Sequence, residues 1–235
     1  MEKSFEAHFF VFDTLDREID KKLKSKRANP PELFAVLREN LPAMGFAPEA
    51  AGKIAELFEN KLSRLNYRHQ NPNYLTHPIR VAAAYLHHLK QPSYEQAVLA
   101  LAHNLNEVAP GMIAGIEERL LPRAVQDQIA ALTVDRVRQN DPQYLNAYFD
   151  SIAAMGPHAM LLKGLDKLDN ALGCLFLECV AEYMEINTRY LCPRLEKFYP
   201  DLARYLAEVS LYIQKPETRK RFCEFDPAKS KALSQ

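Results

Sequence analysis

Three short stretches hold the residues best able to do chemistry. They are Tyr74-Leu75-Thr76-His77-Pro78-Ile79-Arg80-Val81-Ala82, Val98-Leu99-Ala100-Leu101-Ala102-His103-Asn104-Leu105-Asn106-Glu107 and Leu162-Lys163-Gly164-Leu165-Asp166-Lys167-Leu168-Asp169-Asn170. Each sets polar, ligand-type side chains inside a run that otherwise reads as a buried helix. Pro78 suits the first turn of a helix, where its missing N–H would lack an intrahelical partner in any case. His77 is therefore expected at the mouth of a helix that buries Val81, Ala82, Tyr85 and Leu89. His103 and Glu107 are four apart, as are Asp166 and Asn170, so each pair is expected to share a helical face. Burying such groups without partners would cost on the order of 1–3 kcal/mol each. The economical arrangement brings them together around a metal ion or a polar ligand. Histidine nitrogens with carboxylate oxygens suit Mn²⁺, Fe²⁺, Co²⁺ or Zn²⁺. A divalent ion held there would activate a bound water and neutralise developing negative charge.

The order and spacing of the three stretches resemble the HD phosphohydrolase superfamily, and within it the hydrolase domain of the RelA/SpoT family and its small stand-alone relatives. That pattern runs Arg-x-x-x-x-x-Tyr-x-x-His-Pro, then His-Asp with Glu-Asp shortly after, then Lys-x-x-Asp-Arg-x-x-Asn. This chain has Arg68, Tyr74, His77-Pro78, then His103-Asn104 and Glu107-Val108, then Lys163, Asp166-Lys167 and Asn170. It departs from the pattern at three positions. Asn104 stands for the aspartate of the His-Asp pair, Val108 for the second acid, and Lys167 for the arginine.

The resemblance implies an all-α HD-domain helical bundle that removes pyrophosphate from (p)ppGpp or acts on another phosphorylated guanine nucleotide. It implies His77, His103, Asn104 and Asp166 as metal positions, with Mn²⁺ or another divalent transition metal as cofactor. Glu107, with Asn104, falls at the catalytic position that orients or deprotonates water. Arg68 matches the arginine that stacks on a purine, and Tyr74 and Asn170 match positions lining the nucleoside pocket. Lys163 is carried to the substrate-binding set by its place in the motif. His69 replaces a basic residue that would meet phosphate, which would make that contact sensitive to pH. Against the enzyme stands a second class of function: an HD scaffold that binds a nucleotide or protein partner without turnover. Asn104 and Val108 favour that class.

The chain has 235 residues, with 30 basic and 30 acidic side chains. That balance gives no electrostatic footprint for duplex nucleic acid. The basic run Lys21-Lys22-Leu23-Lys24-Ser25-Lys26-Arg27 is expected to be the solvated end of a helix. Arg136 and Arg138 could face phosphate but read first as solvated. Cys174, Cys179, Cys192 and Cys223 lack the paired spacing of a zinc site. No signal peptide and no membrane span are apparent, so a cytoplasmic setting is expected.

Few glycines and recurrent i, i+3, i+4 apolar spacing predict an all-α protein. The expected organisation is an N-terminal helical extension over 1–59, an HD-type domain over 60–213 and a polar tail over 214–235. A first helix is expected over 4–25, with Phe5, Phe9, Phe12 and Leu15 on one face. That stripe packs a core or, alternatively, meets a second copy in a homo-oligomer. Further helices are expected over 31–40, 47–65, 112–121, 123–134, 142–154, 175–196 and 200–213. Ser93 is the expected N-cap of the His103 helix, with Gln96 as its capping-box partner. That helix is expected to run on through Glu107 to Ala109-Pro110-Gly111. Of His87 and His88, one is expected to be solvent-exposed and the other satisfied within its helix.

Overall fold

The computed structural model describes residues 5–9, 12–26, 28–65, 72–172, 184–218 and 220. Among these there are helices and no strand, so the fold is all-α. No helix among the described residues is long and apolar enough to cross a membrane. The chain divides into two compact units, one of Met1–Asp13 and Lys24–Arg136, the other of Thr14–Leu23 and Val137–Gln235.

In chain order the helices of the first unit are α1 (Phe5–His8), the last turn of α2 (Leu15–Lys26), α3 (Pro30–Asn40), α4 (Pro48–Glu56), α5 (Thr76–His88), α6 (Tyr94–Ala102), α7 (Leu105–Val108) and α8 (Arg123–Leu132). The core of this unit lies where α5 packs on α3 and α6, and where α6 packs on α4 and α8. Phe34 and Phe58 stack there with ring centroids 3.9 Å apart. Local chemistry sets several boundaries. Pro78 falls in the first turn of α5, and Val81, Ala82 and Tyr85 are buried as expected, while Leu89 is half-buried beyond the helix end. The capping box at α6 is complete: Ser93 Oγ accepts from Gln96 N, and Gln96 Oε1 accepts from Ser93 N. After α4 the chain continues as a π turn over Leu57–Lys61 and a 3₁₀ turn over Leu62–Arg64.

The N-terminal segment departs from the expected single helix. α1 stops at His8, and α2 starts at Leu15, where the Thr14 carbonyl accepts from Glu18 N. Between them Phe12 adopts φ 56°, a left-handed conformation that interrupts any α-helix. The aromatic stripe nevertheless packs inward in part, since Phe9 is fully buried. Phe5 stacks on His87 at 5.2 Å and Phe12 meets His88 at 4.6 Å. Both histidines therefore sit at the surface against aromatic rings.

His88 gives a pH prediction. Partial desolvation of its ring, and then the neighbouring His87, push its pKa down from the usual 6.5 to about 4. A histidine lowered on folding binds more protons when unfolded. Its contribution to stability is whole above about pH 6.5 and is lost as pH falls toward about 4. The melting temperature should drop across that window, and His88→Gln should flatten part of the drop. An unchanged pH profile in the variant would remove His88 as the cause.

The expected helix over 112–121 is only a 3₁₀ turn, Met112–Gly115, opened by Gly111 at φ 80°. The expected helix through His103 to Glu107 is also broken. α6 ends at Ala102, and Asn104 leaves the helical region at φ −113°, ψ 15° before α7 begins. His103 and Glu107 therefore do not share one continuous helical face.

The second unit contains the start of α2, then α9 (Pro142–Ala154), α10 (Pro157–Ala171), a π turn (Ile186–Leu191), α11 (Cys192–Leu195) and α12 (Pro200–Tyr212). α10 packs on α9, α11 and α12. Gly164 permits this approach, because a Cβ there would lie 3.0 Å from a methyl of Leu195 and from a methyl of Leu202. Pro142 and Pro157 open their helices, the second after Gly156 at φ 98°. The basic run also departs from expectation. Lys22 is buried, pairs with the Asp169 carboxylate and donates to the Asp169 carbonyl at 2.6 Å. Burial of that ammonium follows from the buried carboxylate on α10 that receives it.

Candidate functional site

The first unit supplies two imidazoles. His77 is the second residue of α5, and His103 is the residue on which α6 ends. Their rings meet edge to face, with centroids 5.3 Å apart. His103 is 4% exposed and His77 is half-buried. His103 Nδ1 lies 2.7 Å from the Ala100 carbonyl. A carbonyl only accepts, so Nδ1 donates this bond. Backbone carbonyls commonly fix ligating histidines in this way. Tyr74 lies beside His77, with ring centroids 6.5 Å apart.

Asn104 and Glu107 follow in the same unit. The Asn104 carbonyl accepts from Glu107 N at 3.0 Å and from Val108 N at 3.3 Å, which starts α7. Val108, where the family pattern has an acid, is buried. Glu107 Oε2 lies 3.5 Å from Arg136, and Oε1 lies 3.5 Å from Val134 N. Arg136 is thus more than a solvated arginine: it puts positive charge on the one acid of α7.

The second unit presents Asp166 from α10. Asp166 Oδ1 accepts from Asn170 Nδ2 at 2.8 Å, so the two residues share a face as their spacing predicts. Asp166 Oδ2 lies 3.2 Å from Lys163 Nζ, and both side chains are over nine-tenths buried. Lys163 Nζ also lies 5.6 Å from the centre of the Tyr148 ring on α9. Sequence reading gave no role to Tyr148, nor to Lys22 and Asp169. For Tyr148 the only available signal was helical spacing, which marks core and site positions alike. Arg68 and His69 lie outside the described residues, as do Cys174, Cys179, Cys223 and most of the C-terminal tail.

Comparison with protein-family models, curated proteins and solved structures finds no match to this chain.

Proposed function

We propose that this chain is a metal-dependent phosphohydrolase of the HD type, resembling the (p)ppGpp pyrophosphohydrolases and acting on a phosphorylated guanine nucleotide. One observation carries the reading: a packed pair of imidazoles, His77 and His103, in which Nδ1 of His103 donates to the Ala100 carbonyl, the kind of bond that orients a ligating histidine. Asp166, on α10 of the second unit, is the carboxylate that the motif pairs with His77 and His103. Two neutral imidazoles and one carboxylate fit Mn²⁺ or another divalent transition ion. Such an ion supplies Lewis acidity toward a phosphate oxygen and a more acidic water. The protein's own contributions are then positional. The Asn170 amide orients Asp166. Glu107 is the carboxylate able to hold a proton, with Arg136 steadying its charge. Asn104 follows His103 as a neutral oxygen donor, Tyr74 flanks His77, and Arg68 and His69 keep their roles in substrate binding as proposals from the motif.

A second reading has its own support. Of the acidic positions in the family pattern, one is amide (Asn104) and one is a buried valine (Val108). The two that remain each face a cation, Glu107 with Arg136 and Asp166 with Lys163. Such a site suits an HD scaffold that binds a nucleotide or a protein partner without turnover.

Elemental analysis of protein purified without chelator separates the two. The expected result is about one equivalent of manganese, iron or a related ion per chain, as one mixed imidazole and carboxylate site would hold, with pyrophosphate released from ppGpp by the metal-loaded protein. Protein that holds no metal even after soaking in Mn²⁺ would leave the binding scaffold as the better reading.

A further inference from the structure

We infer that Lys163 is a built-in counter-ion for Asp166, occupying the carboxylate that a divalent ion would use, so that metal entry requires the ammonium to leave. The inference rests on the reading of Asp166 as a ligand and goes beyond it by naming what competes for that ligand.

Lys163 lies one turn before Asp166 on α10, and its Nζ is 3.2 Å from Asp166 Oδ2. The other carboxylate oxygen takes the Asn170 amide. Both oxygens of Asp166 are therefore engaged from within a single helix. The pair is almost wholly buried, at 6% and 8% side-chain exposure, so solvent and salt screen it little. Charge counting makes the competition concrete. The Asp166 carboxylate is cancelled by the Lys163 ammonium. This part of α10 then offers a divalent ion no net negative charge. Asn104, as an amide, adds none.

The ammonium has a second place to rest. Its nitrogen is already 5.6 Å from the centre of the Tyr148 ring, and Tyr148 is itself buried. An aromatic face attracts a cation, so Lys163 can leave the carboxylate and remain beside the ring. Lys163 thereby sets metal affinity through charge, and its loss should strengthen binding where loss of a ligand would weaken it.

The test is a titration with Mn²⁺ alone, followed by electron paramagnetic resonance of the free ion, on wild type, Lys163→Met, Lys163→Gln and Lys163→Arg. Lys163→Gln keeps an amide donor for Asp166 and covers the case in which Lys163→Met does not fold. Lys53→Met serves as a control, since Lys53 is an exposed residue of α4 paired with Glu49. Removing one positive charge from beside a dication should tighten Mn²⁺ binding by about tenfold or more in Lys163→Met and Lys163→Gln. Lys163→Arg and Lys53→Met should stay near wild type, and adding Asp166→Asn to Lys163→Met should abolish the gain. Mn²⁺ bound by Lys163→Met but not by wild type would also support the counter-ion. Equal or weaker binding in both neutral variants, with wild type still binding, would overturn the counter-ion and leave the metal reading intact. No binding by any of the proteins would overturn both.

Discussion

Lys22→Met should destabilise the protein by about 3–5 kcal/mol, the cost of leaving one member of a buried ion pair without its partner. Lys22 and Asp169 have side-chain exposures of 5% and 7%. The ammonium meets both the carboxylate and the carbonyl of Asp169, so its loss removes a cation from beside a buried charge at the C-terminal turn of α10. Methionine keeps most of the stem, which separates loss of charge from loss of packing. The melting temperature should fall by on the order of 10 °C. Lys22→Met combined with Asp169→Leu should recover most of that loss, because apolar replacement of both partners removes the desolvated charge altogether. A single variant that melts within a degree or so of wild type would show that the pair contributes nothing to stability.

Asn104→Asp should raise Mn²⁺ affinity by about tenfold or more, judged from the scale of effects at residues around metal sites. It adds a carboxylate directly after His103. The fold should tolerate it, since the Asn104 side chain takes no part in capping α7. Any pyrophosphate release should rise with the metal affinity. Asn106→Asp, two residues on in α7, controls for added charge in general. If Asn104→Asp changes neither metal affinity nor rate, position 104 is no ligand, and the match of this stretch to the His-Asp motif is lost.

What could be read from the sequence was mostly local. The capping box needs only Ser93 and Gln96, three residues apart, and it formed as read. α9 begins at Pro142 and α10 at Pro157 because proline fixes the backbone of a first turn, and a glycine before the second supplies a positive φ. The Asp166–Asn170 pair followed from helical spacing alone. The failures share a different origin. Lys22 sits in a run of lysines and arginines that looks solvated, and its partner is 147 residues away in the chain. No proline or glycine announces the break at His103-Asn104; its only local sign is that His103, Asn104 and Asn106 are weak helix formers, a preference that tertiary context often overrides. Phe12 in a left-handed conformation is equally silent, since a bulky aromatic is among the last residues expected there.

The break at Asn104 bears on how this site can change over generations. The main chain at this position starts α7 through the carbonyl, and the side chain takes no part in capping it. Whatever selection asks of the side chain is thus largely uncoupled from what folding asks of the backbone. A lineage can exchange amide for acid here by small steps, gaining or losing a unit of negative charge without crossing an unfolded intermediate. The same freedom does not extend to Val108, which is buried. An acid placed there would have to be desolvated, so the two positions differ sharply in how easily each can take one.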